Sequence, residues 1–261
     1  MSSHSATTHG QSDKPLLIIL AGRTFPEISR TTGDFDDWIA TGLGERVMHR
    51  CVDAREMPEF PSLSDVAGVI VSGSHAMVTE RAPWSEHLAR WLKLCVETQV
   101  PVLGICYGHQ LLAHALGGRV DNHPQGIEVG TRDVETLASA SQDPLFVGLP
   151  HNFPAQLVHL QSVRELPSDA VLLARSAHEP HQAFRVGSCA WGLQFHPEFH
   201  AAAMHGYIDQ LSTDNSDLVI DAEALHNAVE PTPAAASLLK RFATLAVSRT
   251  RSEALSEPIV N

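Results

Sequence analysis

The residue best suited to nucleophilic chemistry is Cys106, which has a glycine two positions before it and another two positions after it. It follows the apolar run 100–103 and precedes the helix-like run 111–116, so it lies at a strand-to-helix junction. This arrangement is typical of a nucleophile elbow, where a side chain at position 104 or 108 would collide with neighbouring backbone. The N–H groups and positive dipole end of the following helix favour a thiolate, the nucleophilic form of cysteine.

A cysteine nucleophile needs a base, and the base needs a partner that orients it. His196 and Glu198 follow a predicted strand and flank a proline, which stiffens the turn between them. Glu198 can then accept the proton of one ring nitrogen of His196, while the other nitrogen faces the sulfur. We therefore predict a catalytic triad of Cys106, His196 and Glu198.

The first half of the chain alternates between strand and helix patterns. Strands are predicted at 15–22, 46–54, 68–73 and 100–105, and helices at 34–43 and 84–97. This order predicts an α/β fold with a mostly parallel central sheet and helices on both faces. Ligands in such sheets bind outside the carboxyl ends of the strands, where Gly73 and Cys106 both lie.

After residue 118 short extended segments dominate, and the end of the chain is helical again. Antiparallel edge strands are predicted at 119–120, 127–137, 153–160, 170–174, 182–186 and 190–195, and helices at 200–211, 221–229 and 233–247. We predict a disordered N-terminal tail (1–14), a catalytic domain (15–199), a C-terminal helical extension packed on that domain (200–247) and a flexible tail (248–261).

Composition limits the classes of partner. The net charge of −12 argues against nucleic acid, and no apolar run approaches the length of a membrane span. The four cysteines are scattered without a CxxC pair, which indicates a cytoplasmic setting. The 16 histidines show no HExxH motif and no strong ligand spacing, so neither a metal nor a cofactor is predicted.

The segments 104–110 (Gly-Ile-Cys-Tyr-Gly-His-Gln) and 194–198 (Gln-Phe-His-Pro-Glu) closely resemble the class I glutamine amidotransferases. The resemblance extends over about residues 16–199 and is greatest to the glutaminase domain of GMP synthase and its free-standing bacterial relatives. It implies a flavodoxin-like fold and hydrolysis of the γ-amide of glutamine through a γ-glutamyl thioester on Cys106. A rival fold with Gly-x-Cys-x-Gly, the dienelactone hydrolase type, has its acid before the histidine. Here the acid follows the histidine, which favours the amidotransferase interpretation.

The resemblance also implies an oxyanion hole made of two backbone N–H groups. One is expected from Tyr107 and the other from Ser74, which follows Gly73 in a loop where the family usually reads Ser-Gly-Gly-Pro. In this chain Ser74 replaces the second glycine and His75 replaces the proline. A serine still supplies a backbone N–H, whereas the conformation of the loop can differ.

The resemblance further implies a glutamine-binding surface. Its predicted residues are Gly73, Gln110, Val158, His159, Leu160 and Gln161. Gln110 matches the family position that binds the α-amino and carboxylate end of glutamine. In the second segment the family often carries aspartate where this chain has Gln161.

Three functions remain open at this stage. The first is a glutaminase that delivers ammonia to a separate synthetase, since this chain has no ATP-pyrophosphatase-like loop. The second is a free-standing hydrolase of γ-glutamyl peptides or amides, which uses the same thioester chemistry. The third is a non-catalytic regulatory module, against which the intact Cys106, His196 and Glu198 argue. The expected partners are thus glutamine or another γ-glutamyl compound and, for the first function, a synthetase.

Overall fold

The computed structural model describes residues 14–214 and 220–256. The strands in these ranges are β1 (Leu16–Leu20), β2 (His49–Asp53), β3 (Gly68–Val71), β4 (Val102–Ile105), β5 (Arg119–Asn122), β6 (Glu128–Thr136), β7 (Asn152–His159), β8 (Gln161–Glu165), β9 (Ala170–Arg175), β10 (Ala183–Val186) and β11 (Ala190–Leu193). The helices are α1 (Pro26–Thr32), α2 (Phe35–Leu43), α3 (Pro83–Glu97), α4 (Tyr107–Ala115), α5 (Ala201–Asp214), α6 (Ala222–Asn227) and α7 (Pro233–Ser256). A short 3-10 helix, Val78–Glu80, lies in the loop between β3 and α3.

The main sheet has two halves of different polarity. Its strand order is β2-β1-β3-β4-β11-β10-β9-β6-β7. Neighbouring strands from β2 to β11 are parallel, and those from β11 to β7 are antiparallel. The predicted α/β fold with antiparallel strands added to a parallel sheet is therefore confirmed. Because β3, β4 and β11 are neighbours, the loops after them meet at one edge.

The side chains of β1 show why this sheet is covered on both faces. Leu16, Ile18 and Leu20 belong to a core that includes residues of α1, α2, α5 and α7. Leu17 and Ile19 point to a second core with residues of α3 and α4. Successive side chains of a strand alternate between faces, so a continuous apolar run buries both.

Four parts of the fold differ from the sequence-based expectation. Segment 190–195 is predicted among the antiparallel edge strands, but β11 is parallel to β4 and lies in the middle of the main sheet. β5 does not extend the main sheet but pairs with β8, which was not predicted, in a separate two-stranded sheet. α1 was also not predicted, because Ile28 is its one fully buried residue and no apolar stripe marks it. α7 was expected to end at Val247 and instead continues to Ser256. Residues 1–13 of the predicted N-terminal tail and 257–261 of the C-terminal tail lie outside the described residues.

The C-terminal helices pack on the same side of the sheet as α1 and α2. A Cβ atom on Gly42 of α2 would lie 2.3 Å from Leu239 Cδ1 of α7, and one on Gly206 of α5 would lie 2.9 Å from Ile28 Cγ1 of α1. These glycines allow the helices to approach closely. Among the described helices, none combines the length and apolarity needed to cross a membrane.

Candidate active site

Cys106 occupies a sharp turn between β4 and α4. Its backbone angles are φ 50° and ψ −99°, outside the regions that non-glycine residues ordinarily adopt. Its N–H donates to the carbonyl oxygen of Leu193 at 2.8 Å, and its carbonyl accepts from the N–H of Gln110 at 3.1 Å. A strained backbone persists only where the surrounding structure holds it, and these bonds to β11 and α4 do so here. The side chain keeps 6% of its surface exposed, with Sγ 3.6 Å from the carbonyl oxygen of Val158.

Steric contacts with the backbone require glycine at both positions that flank Cys106, 104 and 108. A Cβ atom on Gly104 would lie 2.3 Å from the carbonyl oxygen of Gly108, and one on Gly108 would lie 2.5 Å from that of Val71. Both contacts are with backbone, which cannot rotate away as a side chain can. The turn that exposes Cys106 therefore depends on glycine at both positions.

His196 and Glu198 lie in the turn that follows β11. His196 Nδ1 is 2.8 Å from Glu198 Oε1, and both side chains are almost fully buried. The backbone N–H of His196 donates to the carbonyl oxygen of Gln156 at 2.8 Å, which fixes this turn to β7. With the carboxylate accepting from Nδ1–H, the other ring nitrogen is left for a second partner.

The protonated form of His196 is strongly favoured. Burial lowers the pKa of His196, but the negative charges of Glu198 and Cys106 outweigh it and raise the pKa to about 10. The Cys106 side chain is therefore near enough to His196 to act on its charge. An imidazolium between Glu198 and Cys106 is the form of His196 that can give a proton to a leaving amine.

Aromatic rings fix the plane of the His196 ring. Phe199 stacks on it with ring centroids 4.0 Å apart, and Phe35 lies parallel to it at 6.4 Å. A Cβ atom on Gly73 would lie 2.9 Å from His196 Cε1. Gly73 therefore leaves the space that the imidazole occupies.

The loop after β3 is fixed by serine hydroxyls. Ser72 Oγ accepts from the N–H of Ala21 at 3.0 Å and donates to the carbonyl oxygen of Gly73 at 2.9 Å. Ser74 Oγ accepts from the N–H of Ala76 at 3.0 Å. This places Ser74 directly after the glycine that touches His196, and Tyr107 begins α4 directly after Cys106. Of the two predicted oxyanion donors, Tyr107 thus follows Cys106 directly, and Ser74 follows the glycine that leaves space for the His196 ring.

Gln110 lies beneath the predicted glutamine-binding segment. Its Nε2 donates to the carbonyl oxygen of Gln161 at 2.6 Å and to Gln194 Oε1 at 3.0 Å. Both amide hydrogens are thereby used, so Nε2 supports the segment and only Oε1 could contact a ligand.

Gln161, which stands where the family often has aspartate, ties together three parts of the chain. Its Nε2 donates to Thr79 Oγ1 at 2.6 Å and to Asn122 Oδ1 at 3.0 Å. Its carbonyl oxygen also accepts from Gln110. The loop after β3 is thus joined to β5 and β8 by an uncharged amide.

His159 is fully engaged inside the protein. Its Nε2 lies 2.9 Å from Glu128 Oε2 and its Nδ1 lies 3.0 Å from the carbonyl oxygen of Gln161. Val158 and Leu160, on either side of it, are half-buried, and the Leu160 carbonyl oxygen accepts from the N–H of His123 at 2.8 Å. The His159 side chain therefore positions the segment, and the Val158 carbonyl is the group of this segment that faces Cys106.

Several residues that border the site were not predicted from the sequence. They are Thr24, Phe25, Phe35, Gln156, Gln194, Phe199 and Tyr207. Two of them carried a local signal: Gln194 is the first residue of the Gln-Phe-His-Pro-Glu motif, and Phe199 directly follows it. Among the described residues no group of three or more His, Cys, Asp or Glu could hold a metal ion.

Comparison with known proteins identifies the family of the chain. The family "Glutamine amidotransferase class-I" matches residues 40–211. A GMP synthase [glutamine-hydrolyzing] of Thermomicrobium roseum is 44% identical over 131 residues, which cover 50% of this chain and 23% of that enzyme. The chain therefore spans less than a quarter of that relative.

Other relatives match over more of their own length. Gamma-glutamyl peptidase 4 of Arabidopsis thaliana is 28% identical over 204 residues, or 76% of this chain and 81% of that protein. A GMP synthase [glutamine-hydrolyzing] subunit of Methanopyrus kandleri is 36% identical over 152 residues, or 56% of this chain and 76% of that protein.

A solved glutamine amidotransferase of Thermotoga maritima shares the fold, with a TM-score of 0.71 and 22% identity. The match covers 90% of this chain and 98% of that one. The family match spans more than half of the sequence and includes both motifs. The chain belongs to the class-I glutamine amidotransferase family.

Proposed function

We propose that the protein hydrolyses the γ-amide bond of glutamine or of a related γ-glutamyl compound through a thioester on Cys106. The observation that carries this proposal is the strained turn that presents Cys106 beside His196, whose ring is bound to Glu198 at 2.8 Å. A nucleophile, a base and an orienting acid in this order are the parts that acyl transfer requires.

In the proposed first step Cys106 Sγ attacks the γ-carbonyl carbon of the substrate. The carbonyl oxygen becomes an oxyanion, for which the backbone N–H groups of Ser74 and Tyr107 are the proposed donors. The C–N bond then breaks, and the imidazolium of His196 gives its proton to the departing amine. Glu198 stabilises the charged ring and keeps its orientation.

In the second step a water molecule attacks the γ-glutamyl thioester. His196, now neutral, takes a proton from this water, and the same oxyanion donors act again. The C–S bond breaks, which releases glutamate and restores the thiolate beside the imidazolium. The segment 158–161 and Gly73 are the proposed walls of the glutamine pocket, supported from below by Gln110.

Two substrate classes fit this chemistry. Delivery of ammonia from glutamine to a separate synthetase is favoured by the similarity to the GMP synthase subunit of Methanopyrus kandleri. Hydrolysis of γ-glutamyl peptides without a partner is favoured by the similarity to gamma-glutamyl peptidase 4, which extends over 81% of that protein. Both classes share the acyl-enzyme and differ in the leaving amine.

The test is turnover of glutamine, γ-glutamylglycine and γ-glutamyl-n-propylamide by the purified full-length chain. We expect Cys106→Ala to abolish turnover of every substrate that the wild type cleaves, because no other group supplies the thiolate. Cys51→Ala is the matched control, since Cys51 is exposed. Equal turnover by wild type and Cys106→Ala would contradict the mechanism. Peptide turnover by the isolated chain favours the second class, and glutaminase activity that rises with an added synthetase favours the first.

A further inference from the structure

A hydrogen-bonded aromatic cluster, which we call the Tyr207 cluster, lies beside the candidate site. It consists of Thr24, Phe25, His75 and Tyr207, drawn from the segment after β1, the loop after β3 and helix α5. Thr24 Oγ1 donates to the Tyr207 hydroxyl at 3.1 Å, and that hydroxyl lies 3.2 Å from His75 Nε2. The ring of Phe25 covers that of His75, with centroids 4.3 Å apart.

The hydrogen bonds of Tyr207 favour the tautomer of His75 that carries its proton on Nδ1. Tyr207 is buried, and burial raises the pKa of its hydroxyl, so the phenol stays protonated. Because Thr24 already donates to the Tyr207 oxygen, the Tyr207 proton is left for His75 Nε2. A neutral ring that accepts at Nε2 carries its hydrogen on Nδ1. Partial burial lowers the pKa of His75, and the charge of His196 lowers it further, against a smaller opposite effect of Asp34.

His75 combines one bonded ring nitrogen with an exposed position. The residue as a whole is exposed, although Nε2 is turned inward to Tyr207. Within the part of the chain that the structure describes, no hydrogen-bond partner is found for Nδ1. The cluster therefore presents an oriented N–H donor at the surface.

The Tyr207 cluster adjoins the residues that pack around the His196 ring. His75 follows Gly73 by two residues, and Gly73 is in contact range of His196 Cε1. The Tyr207 ring lies 5.0 Å from that of Phe199, which stacks on His196. The glutamine-binding segment instead reaches Cys106 from β7. The cluster is thus linked through Phe199 to the imidazole that we propose donates to the leaving amine.

We propose that His75 determines specificity for the leaving group: its Nδ1–H binds a carbonyl or carboxylate oxygen on the leaving amine and so favours γ-glutamyl peptides over simple γ-glutamyl amides. This inference rests on the proposed function. In a peptide the amine that leaves carries such an oxygen three bonds from its nitrogen, whereas ammonia and alkylamines carry none. The His75 N–H can therefore bind the leaving group of a peptide but not ammonia or an alkylamine. This extra hydrogen bond raises kcat/KM for peptides relative to simple amides.

The experiment compares γ-glutamylglycine with γ-glutamyl-n-propylamide, which is of similar length but lacks an acceptor on the leaving group. The readout is the ratio of the two kcat/KM values. His75→Asn keeps an N–H near the position of Nδ1, whereas His75→Gln keeps a polar group only near Nε2. We expect the ratio to fall about three- to tenfold in His75→Gln and His75→Ala, the value of one hydrogen bond, and to be largely kept in His75→Asn.

Two further variants sharpen the test. Tyr207→Phe removes the group that fixes the His75 tautomer, so the ratio should fall by less than in His75→Gln. His151→Ala changes an exposed histidine remote from the cluster and should leave the ratio unchanged. Thermal melting of each variant shows whether it is folded. The ratio of kcat/KM values must fall in both His75→Gln and His75→Ala.

The outcomes separate this inference from the proposed function. Cys106-dependent turnover with the same ratio in wild type, His75→Gln and His75→Ala would overturn the role of His75 and leave the thioester mechanism intact. Turnover that does not depend on Cys106 would contradict the proposed function and remove the basis of this inference as well.

Discussion

Replacing Gly73 with alanine should damage catalysis through one contact. The added Cβ would lie 2.9 Å from His196 Cε1, whereas non-bonded carbon atoms pack at about 3.5–4.0 Å. The imidazole or the loop must therefore move by at least about 0.6 Å. The ring cannot move freely, because Phe199 stacks on it and Glu198 binds Nδ1.

A displacement approaching 1 Å in a catalytic group can cost about a hundredfold in rate. For Gly73→Ala we expect kcat for γ-glutamyl substrates to fall about ten- to a hundredfold, measured by steady-state kinetics. Gly68→Ala is the matched control, because it lies at the other end of β3, where its Cβ would be 3.0 Å from Ala246 Cβ. It should lower the melting temperature without a comparable loss of kcat. A Gly73→Ala enzyme with wild-type kcat would show that the added Cβ does not displace the His196 ring.

Two other predictions follow from the geometry of the site. Glu198→Gln removes the charge that raises the pKa of His196, so NMR titration of the ring nitrogens should show that pKa falling well below about 10. A raised pKa stabilises the fold fully below the ordinary value of 6.5 and progressively less as pH rises toward about 10. The unfolding free energies of wild type and Glu198→Gln should therefore converge over that range, and parallel curves would count against the coupling. Gly108→Ala should unfold at a lower temperature and lose activity, because its Cβ would lie 2.5 Å from the Val71 carbonyl oxygen; an unchanged melting curve would show that the turn can relax.

The parts of the fold that the sequence predicted were those set by local patterns. The apolar run that became β1 predicted a strand buried on both faces, and its side chains do alternate between two cores. The spacing of Gly104 and Gly108 around Cys106 likewise indicated a turn with no room for side chains, which the two backbone contacts explain.

The parts that were missed depend on contacts between distant segments. β5 was expected at the edge of the main sheet, but it pairs with β8. The four residues of β5 carry no pattern that identifies β8 as their partner. Tyr207 reaches Thr24 and His75 only because α5 packs on α1, and no spacing along the chain encodes that contact. Gln156 lies within the predicted strand 153–160, where no local pattern indicates that its carbonyl binds the N–H of His196.

Substitutions in the family motifs are explained by their new partners. Gln161, an amide in place of a carboxylate, donates from its nitrogen to Thr79 and Asn122, and an ionised carboxylate cannot act as a donor. His75, in place of proline, gains a bond to Tyr207 that proline could not form. Both changes therefore add cross-links to the loop after β3.

The thioester on Cys106 can be detected directly by mass spectrometry of protein quenched in acid during turnover of a γ-glutamyl substrate. We expect a γ-glutamyl group on the peptide that contains Cys106, released by hydroxylamine and missing from Cys106→Ala. Product formation with the label on another residue, or with Cys106→Ala as active as wild type, would contradict the thioester mechanism.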